Sequence, residues 1–548
     1  MKHLSKLMSG LALLALASCA SDEPAIGGDD NNAPKEGLYS TISFRMPSTR
    51  STDMEAVEVG QDSENSVGSV LVLVTQKGTG DNEYKYVTYA LNDAPITGTT
   101  TPSKHTIVFQ DKNKLYGLAG QEVYFFAFCN PSPALVTEIV GTFDAVNNSY
   151  SGGLAEGTDI STLICDENVE STWTPNGFLM TSVDLTPKTL PSKAELQAYN
   201  TPNNAYPLGT IEVVRTCSRF DFRDASPAET APLTYEIKDE AKPGKPKVAD
   251  IKLTRMALFN MRNEFYYLPR TMAADGTGLK VCPSYDGMDA DGIYVVTPAA
   301  RNFSYPIPTW IDPSQSPAAG TASGTLAGLE FKSIAEVLGA SEDDDNWDTT
   351  GSLDKGNFHI WDYVTENAWG KDADPNFAGT TGYVFEAEVI VADDFGNKNA
   401  DGTYETMYVF NNTLYASAKA VKEAVALTPV SNLATAYKAG FTENADGTIT
   451  PKSDAELRNL GFYAYHPSTE GRYFCYYFAP NTHNDDGDIT KIGVMEHATV
   501  RNNVYKLSIK GIQKFGSFEP EPLDSWDTYF TLDVQVRDWI VRINEMEF

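Results

Sequence analysis

The chain has 548 residues, room for two or three domains of ordinary size. It carries 74 acidic against 42 basic side chains, a formal charge of −32, which repels phosphate backbones and anionic headgroups and argues against nucleic-acid binding. Apolar residues make up 41%, enough for a real core, and they fall in short runs of Val, Ile, Thr, Tyr and Phe broken by Gly, Pro, Asn and Asp, a pattern of strands rather than helices.

From the start, Lys2 and Lys6 precede a short apolar run, residues 11–17, too short to span a bilayer. Residues 1–18 read as a signal peptide. The run ends Leu16-Ala17-Ser18-Cys19, which resembles the lipobox of bacterial lipoproteins; there, cleavage falls between Ser18 and Cys19, and Cys19 carries the acyl chains. Ala20-Ser21-Asp22-Glu23 resembles the acidic surface-export signal of Bacteroidales lipoproteins. Residues 24–37 form a polar, Gly- and Asn-containing tether. In residues 39–46, Ile42, Phe44 and Met46 alternate with polar residues and share one face of a strand. Residues 47–53 follow as a polar loop. Arg50 there could serve a trypsin-like protease, because proteolysis concentrates in exposed loops, but taken alone it reads more readily as a solvated arginine in an ordinary turn.

The body predicts strands at 67–74, 84–91, 105–110, 123–128, 178–183, 211–215 and 219–223, the cadence of an antiparallel β-sandwich. Residues 238–247, with two prolines, read as a connecting loop. Strands resume at 251–260, 264–268, 292–297, 381–391, 406–410, 471–478 and 503–509, with short helices at 332–338, 417–427 and 454–460. Cys129, Cys165, Cys217, Cys282 and Cys475 sit mostly in apolar runs and read as core residues, not ligands. No HExxH, Walker A, GxSxG or GxGxxG pattern occurs, and no cofactor, metal or catalytic residue is expected. Loops at 289–292, 399–402 and 484–488 carry calcium-type oxygens, but Asp-Gly is also the usual tight-turn signal, and turns are the expectation.

Near the end, a Pro-containing linker leads to two strand-prone segments, 529–536 and 538–543. Leu532, Val534 and Val536 alternate in one phase, and Trp539, Val541 and Ile543 in the other, so a register flip is expected near Arg537-Asp538. An apolar strand beyond a linker is an edge that needs cover.

In order along the chain, Leu16–Cys19, Ile42–Arg50, Asn176–Ser182, Val213–Phe222, Leu258–Met261, Tyr363–Asn367, Val500–Leu507 and Val534–Phe548 together resemble the type V pilus fimbrillins of Bacteroidales, especially the minor-fimbrium (Mfa-type) major subunits. The resemblance implies a structural, non-enzymatic protein. Its fold would be mostly all-β: two transthyretin-like antiparallel β-sandwiches, with a few short helices in the second. It implies a lipidated propeptide at 19–50, sandwiches at 51–223 and 224–525, and a donor segment at 526–548. On that resemblance a lipoprotein precursor would reach the outer membrane, an arginine-specific protease would cut between Arg50 and Ser51, the strand bearing Ile42, Phe44 and Met46 would leave, and residues 529–548 of another copy would fill the groove. The partners implied are other copies in a head-to-tail polymer, accessory fimbrial subunits and the protease. The competing readings are an accessory or tip adhesin, and a surface glycan-binding lipoprotein using Trp173, Trp310, Trp347 or Trp361.

Overall fold

The computed structural model describes residues 37–45, 57–92, 104–146, 149–166, 169–174, 177–227, 230–239, 244–284, 288, 292–299, 303–305, 329–339, 358–368, 379–484, 493, 495–517 and 530–540. The chain is mostly β. Its strands include β1 (Leu38–Arg45), β2 (Val57–Val59), β3 (Val70–Lys77), β4 (Tyr84–Asn92), β5 (Lys104–Phe109), β6 (Glu122–Cys129), β7 (Met180–Ser182) and β8 (Tyr206–Arg215). There follow β9 (Cys217–Arg223), β10 (Thr234–Lys238), β11 (Lys247–Phe259), β12 (His359–Thr365), β13 (Gly382–Val391), β14 (Tyr473–Pro480), β15 (Asn503–Ile512) and β16 (Phe530–Ile540).

The first sheet differs from an open sandwich layer. Its order is β7-β8-β1-β5-β4-β3-β6, and β6 pairs again with β7, so seven of its eight strands close into a ring. Alternation explains the interior: Val70, Val72 and Val74 of β3 point inward with Val123, Phe125 and Ala127 of β6. The other phase, Leu71, Leu73, Phe126 and Phe128, is also buried. It is covered from far along the chain by Phe265, Tyr267, Leu268 and Val281.

The second unit has two sheets on one core. One runs β2-β16-β15-β9-β12, the other β10-β11-β13-β14. Phe220, Phe222, Tyr505 and Leu507 of the first pack with Ile251, Leu253, Phe385 and Tyr477 of the second. Between β13 and β14 the chain inserts a small helical unit. It holds Ala418–Leu427, Asn432–Gly440 and Asp454–Asn459, each capped by a serine hydroxyl that accepts from a first-turn amide.

Two boundaries depart from the sequence reading. β9, assigned above to the N-terminal unit, pairs with β12 and β15 of the second unit. The change of sheet falls at Thr216, where no Gly or Pro marks it. β2, also assigned to the N-terminal unit, pairs in parallel with β16. The expected flip at Arg537-Asp538 is absent as well. β16 runs in unbroken register through both residues, and the only irregularity lies opposite, between Ile509 and Gly511 of β15.

Candidate functional site

β1 sits between two strands of the ring. It pairs antiparallel with β5 (Ile42 opposite His105) and parallel with β8 (Phe44 opposite Ile211). Leu38, Ile42 and Phe44 point into the ring core. On the solvent side Arg45 pairs with Glu212. The β8 edge is irregular: Thr41 faces Pro207 and Ile42 faces Gly209, leaving Leu208 as an extra residue. Gly209 adopts φ +85°, a conformation that suits glycine, and lets the strand step around that bulge. Phe44→Ala is expected to cost the uncut protein about 3 kcal/mol, the usual penalty for emptying a buried aromatic site. Chemical denaturation measures it.

His105 on β5 lies under β1, 4% exposed, with its ring 5.3 Å from that of Phe44. Burial lowers its pKa. The native state then takes up a proton less readily than the unfolded chain. Stability present above the unfolded value of about 6.5 is lost as the pH falls below it. The melting point is expected to drop between about pH 7.5 and about pH 5, and to drop less in His105→Gln.

The C-terminal strand occupies a similar slot. β16 pairs antiparallel with β15, where Leu532, Val534 and Val536 stand opposite Ile509, Leu507 and Tyr505, all three buried. On its other edge, Asp538, Trp539 and Ile540 pair in parallel with β2. Both strands therefore have one antiparallel and one parallel neighbour. Ser18, Cys19, Met46, Arg50, Ser51, Val541 and Ile543 lie outside the described residues, as do Trp310 and Trp347.

Sequence reasoning missed a buried polar junction. A short helix, α1 (Asp62–Asn65), presents Glu64 to Arg219, with Oε2 accepting from the guanidinium at 3.1 Å. Arg219 also donates to both oxygens of Asp221, at 2.9 Å each. The Tyr363 hydroxyl donates to Glu64 at 2.6 Å. Burial, then the carboxylate beside it, raises the Tyr363 pKa. Arg215 donates to the Glu64 carbonyl and to Asn502, at 3.0 and 3.2 Å, and also reaches Asn65. Nearby, Arg501 donates to Glu366 at 2.9 Å and to the Tyr266 carbonyl at 2.8 Å. Arg262 donates to Asn367 at 2.9 Å. The available signal was charged residues inside apolar runs, Arg215, Arg219 and Asp221 in Val213–Phe222 above all.

The other candidates resolve simply. In Asn399-Ala400-Asp401-Gly402, Asp401 accepts from the amide and hydroxyl of Thr403, at 3.0 and 2.6 Å, which is a self-satisfied turn. The same pentapeptide at Asn444–Thr448 repeats that geometry. Residues 289–291 and 485–488 lie outside the described residues. Trp361 is in the core. Cys129, Cys165, Cys217, Cys282 and Cys475 are buried and unbridged. Among the described residues, no group of His, Cys, Asp or Glu could hold a metal.

Residues 470–545, which span β14, β15 and β16, match the family described as "Major fimbrial subunit protein type IV, Fimbrillin, C-terminal". This stretch is similar to the C-terminal part of that family of fimbrial subunits. The fimbrillin resemblance read from the sequence holds there. No curated protein matches the chain. Among solved structures, a fimbrilin from Porphyromonas gingivalis is similar at 14% identity and a TM-score of 0.39, covering 93% of this chain and 99% of its own. The tip fimbrial protein Mfa3 of the same organism is similar at 10% identity and 0.32, with 92% and 99% covered. A protein from Parabacteroides distasonis, described in terms of cell adhesion, is similar at 13% and 0.41, with 94% and 99% covered.

Proposed function

We propose that this chain is the polymerising subunit of a surface fimbria of the minor-fimbrium type. The precursor is a lipoprotein held in the outer membrane through Cys19. An arginine-specific protease cuts between Arg50 and Ser51. β1, with Ile42 and Phe44, and Met46 beyond it, then leaves the ring. Its slot takes residues 529–548 of the next copy, through the triplet Leu532, Val534 and Val536 or the triplet Trp539, Val541 and Ile543. The subunits are read as a ring-forming N-terminal unit and a transthyretin-like second unit, and the assembled fimbria supports adhesion and recruits accessory subunits.

The observation that supports this most is the placing of β1. It lies in the ring between two strands, and Arg50, the candidate cleavage residue, falls in the sequence between it and β2. Strand addition makes the rest feasible, because main-chain bonds and alternate side-chain pockets transfer together. The slots of β1 and β16 match in kind, each with an antiparallel and a parallel edge, so backbone hydrogen bonds lost on release are regained on docking. Head-to-tail exchange does not close on itself, which makes fibres.

The pairing of β16 to its own chain favours a second reading, a tip or accessory adhesin that never donates. The test is the N-terminal sequence and mass of the surface-sheared, high-molecular-weight form. A start at Ser51 is expected. A start at Cys19 in a monomer sinks the polymerising reading and leaves the accessory adhesin or a glycan-binding lipoprotein.

A further inference from the structure

The inward side chains of β1 are not equivalent. Leu38, Ile42 and Phe44 belong to the apolar core of the ring. Ser40 stands between them in the same phase and is 0% exposed. Its hydroxyl has no hydrogen-bond partner among the described residues. Its neighbours across the sheet are Ile107 on β5 and Tyr206 on β8. A hydroxyl so placed has given up water and gained nothing in return. Serine also fills less of the core than a branched aliphatic would. In the C-terminal segment, both apolar triplets carry valine at the centre, Val534 in one and Val541 in the other.

We infer that Ser40 is a weak point built into the strand that closes the ring, making the precursor's own strand a poorer plug than its replacement and so giving exchange its direction. This deepens the polymerisation reading and rests on it. Main-chain hydrogen bonding cannot supply the direction, since both slots pair a strand on both edges. The side chains decide. A triplet centred on the Ser40 position puts a valine where the orphaned hydroxyl stood. The parent strand is held well enough to fold the ring, yet loses to a strand that fills every inward position.

The test uses the full-length precursor with Ser40→Ala, which removes the hydroxyl without adding volume, and with Ser40→Val. After cleavage by an arginine-specific protease, displacement of the cut strand by a synthetic peptide of residues 529–548 is followed by mass. Exchange is expected to slow roughly tenfold in S40A and further in S40V, with both uncut variants melting higher than the parent. Ser43→Ala, on the opposite face, should exchange at the parental rate. Parental rates and melting points in both Ser40 variants overturn the inference and leave exchange standing. A parent that is cut but never exchanges is a separate failure, that of the polymerisation reading, and the inference falls with it.

Discussion

Replacing Arg219 with alanine is expected to destabilise the protein by about 3–5 kcal/mol, the usual result of removing one partner from a buried ion network. Arg219 and Glu64 are fully buried and Asp221 is 1% exposed. Burial alone would lower the Arg219 pKa, but Asp221 and then Glu64 more than offset it, and the guanidinium is held charged. Without it, two carboxylates remain inside. The Tyr363 hydroxyl and the Gln61 amide still donate to Glu64, the latter at 2.6 Å, but hydrogen bonds do not neutralise a charge. Arg219→Met should be nearly as damaging, which separates lost charge from lost volume. Urea titration measures the loss. A loss under about 1 kcal/mol would mean that water reaches the carboxylates.

This network matters for assembly because of where Glu64 sits in the chain. α1 follows β2, and β2 follows Arg50 in the sequence. Cleavage at Arg50 would create a new terminus only a short distance before a residue locked to Arg219. Arg215 ends β8 in the first sheet, and Arg219 lies on β9 in the second unit, so α1 ties both units together at the point where the chain changes sheet.

The strands were legible where their alternation is local. β4, β5, β6, β13 and β15 lie within a few residues of their expected places, because each has its own apolar phase and turn residues at its ends. The helices at Ile334–Leu338, Ala418–Leu427 and Asp454–Asn459 were legible for the same reason. The pairing of Ile164–Cys165 with Phe265–Tyr266 was not, since two residues carry no period. The ring closure was equally hidden: β7 has three residues and is defined by its two neighbours.

The candidate site divides the same way. Ile42 and Phe44 could be read from alternation, and they do point into a core. The junction could not, because Glu64, Arg219, Tyr363 and Asn502 are scattered and meet only in space. Yet the soft motifs behind the family resemblance converge there. Asn176–Ser182 supplies Phe178, Val213–Phe222 supplies Cys217, and Val500–Leu507 supplies Val504, and these three share one small core. Asn367 donates to the Asn260 carbonyl and to Thr381, joining two further motifs. Each motif finds its partners elsewhere in the chain.

Deleting residues 530–548 should leave a subunit that is still cut at Arg50 but forms no polymer. Under the proposed exchange the deleted segment is the donor. The deletion also strips the partner from one edge of β15, from Asn503 to Ile512, and the only described partner of β2. An unpaired apolar edge invites aggregation, so loss of solubility must be separated from loss of donation. Adding the peptide of residues 529–548 in trans makes that separation. With the protein cut, the peptide should occupy the β1 slot, or the vacated edge of β15, and restore a soluble monomer without restoring fibres. A parental subunit mixed in should be capped by the deleted one, because the latter can accept but not donate, and fibre length should fall as its share rises. Fibres of parental length built from the deleted subunit alone would remove β16 from the donor role. Leu532, Val534 and Val536 would then serve only the pairing with β15.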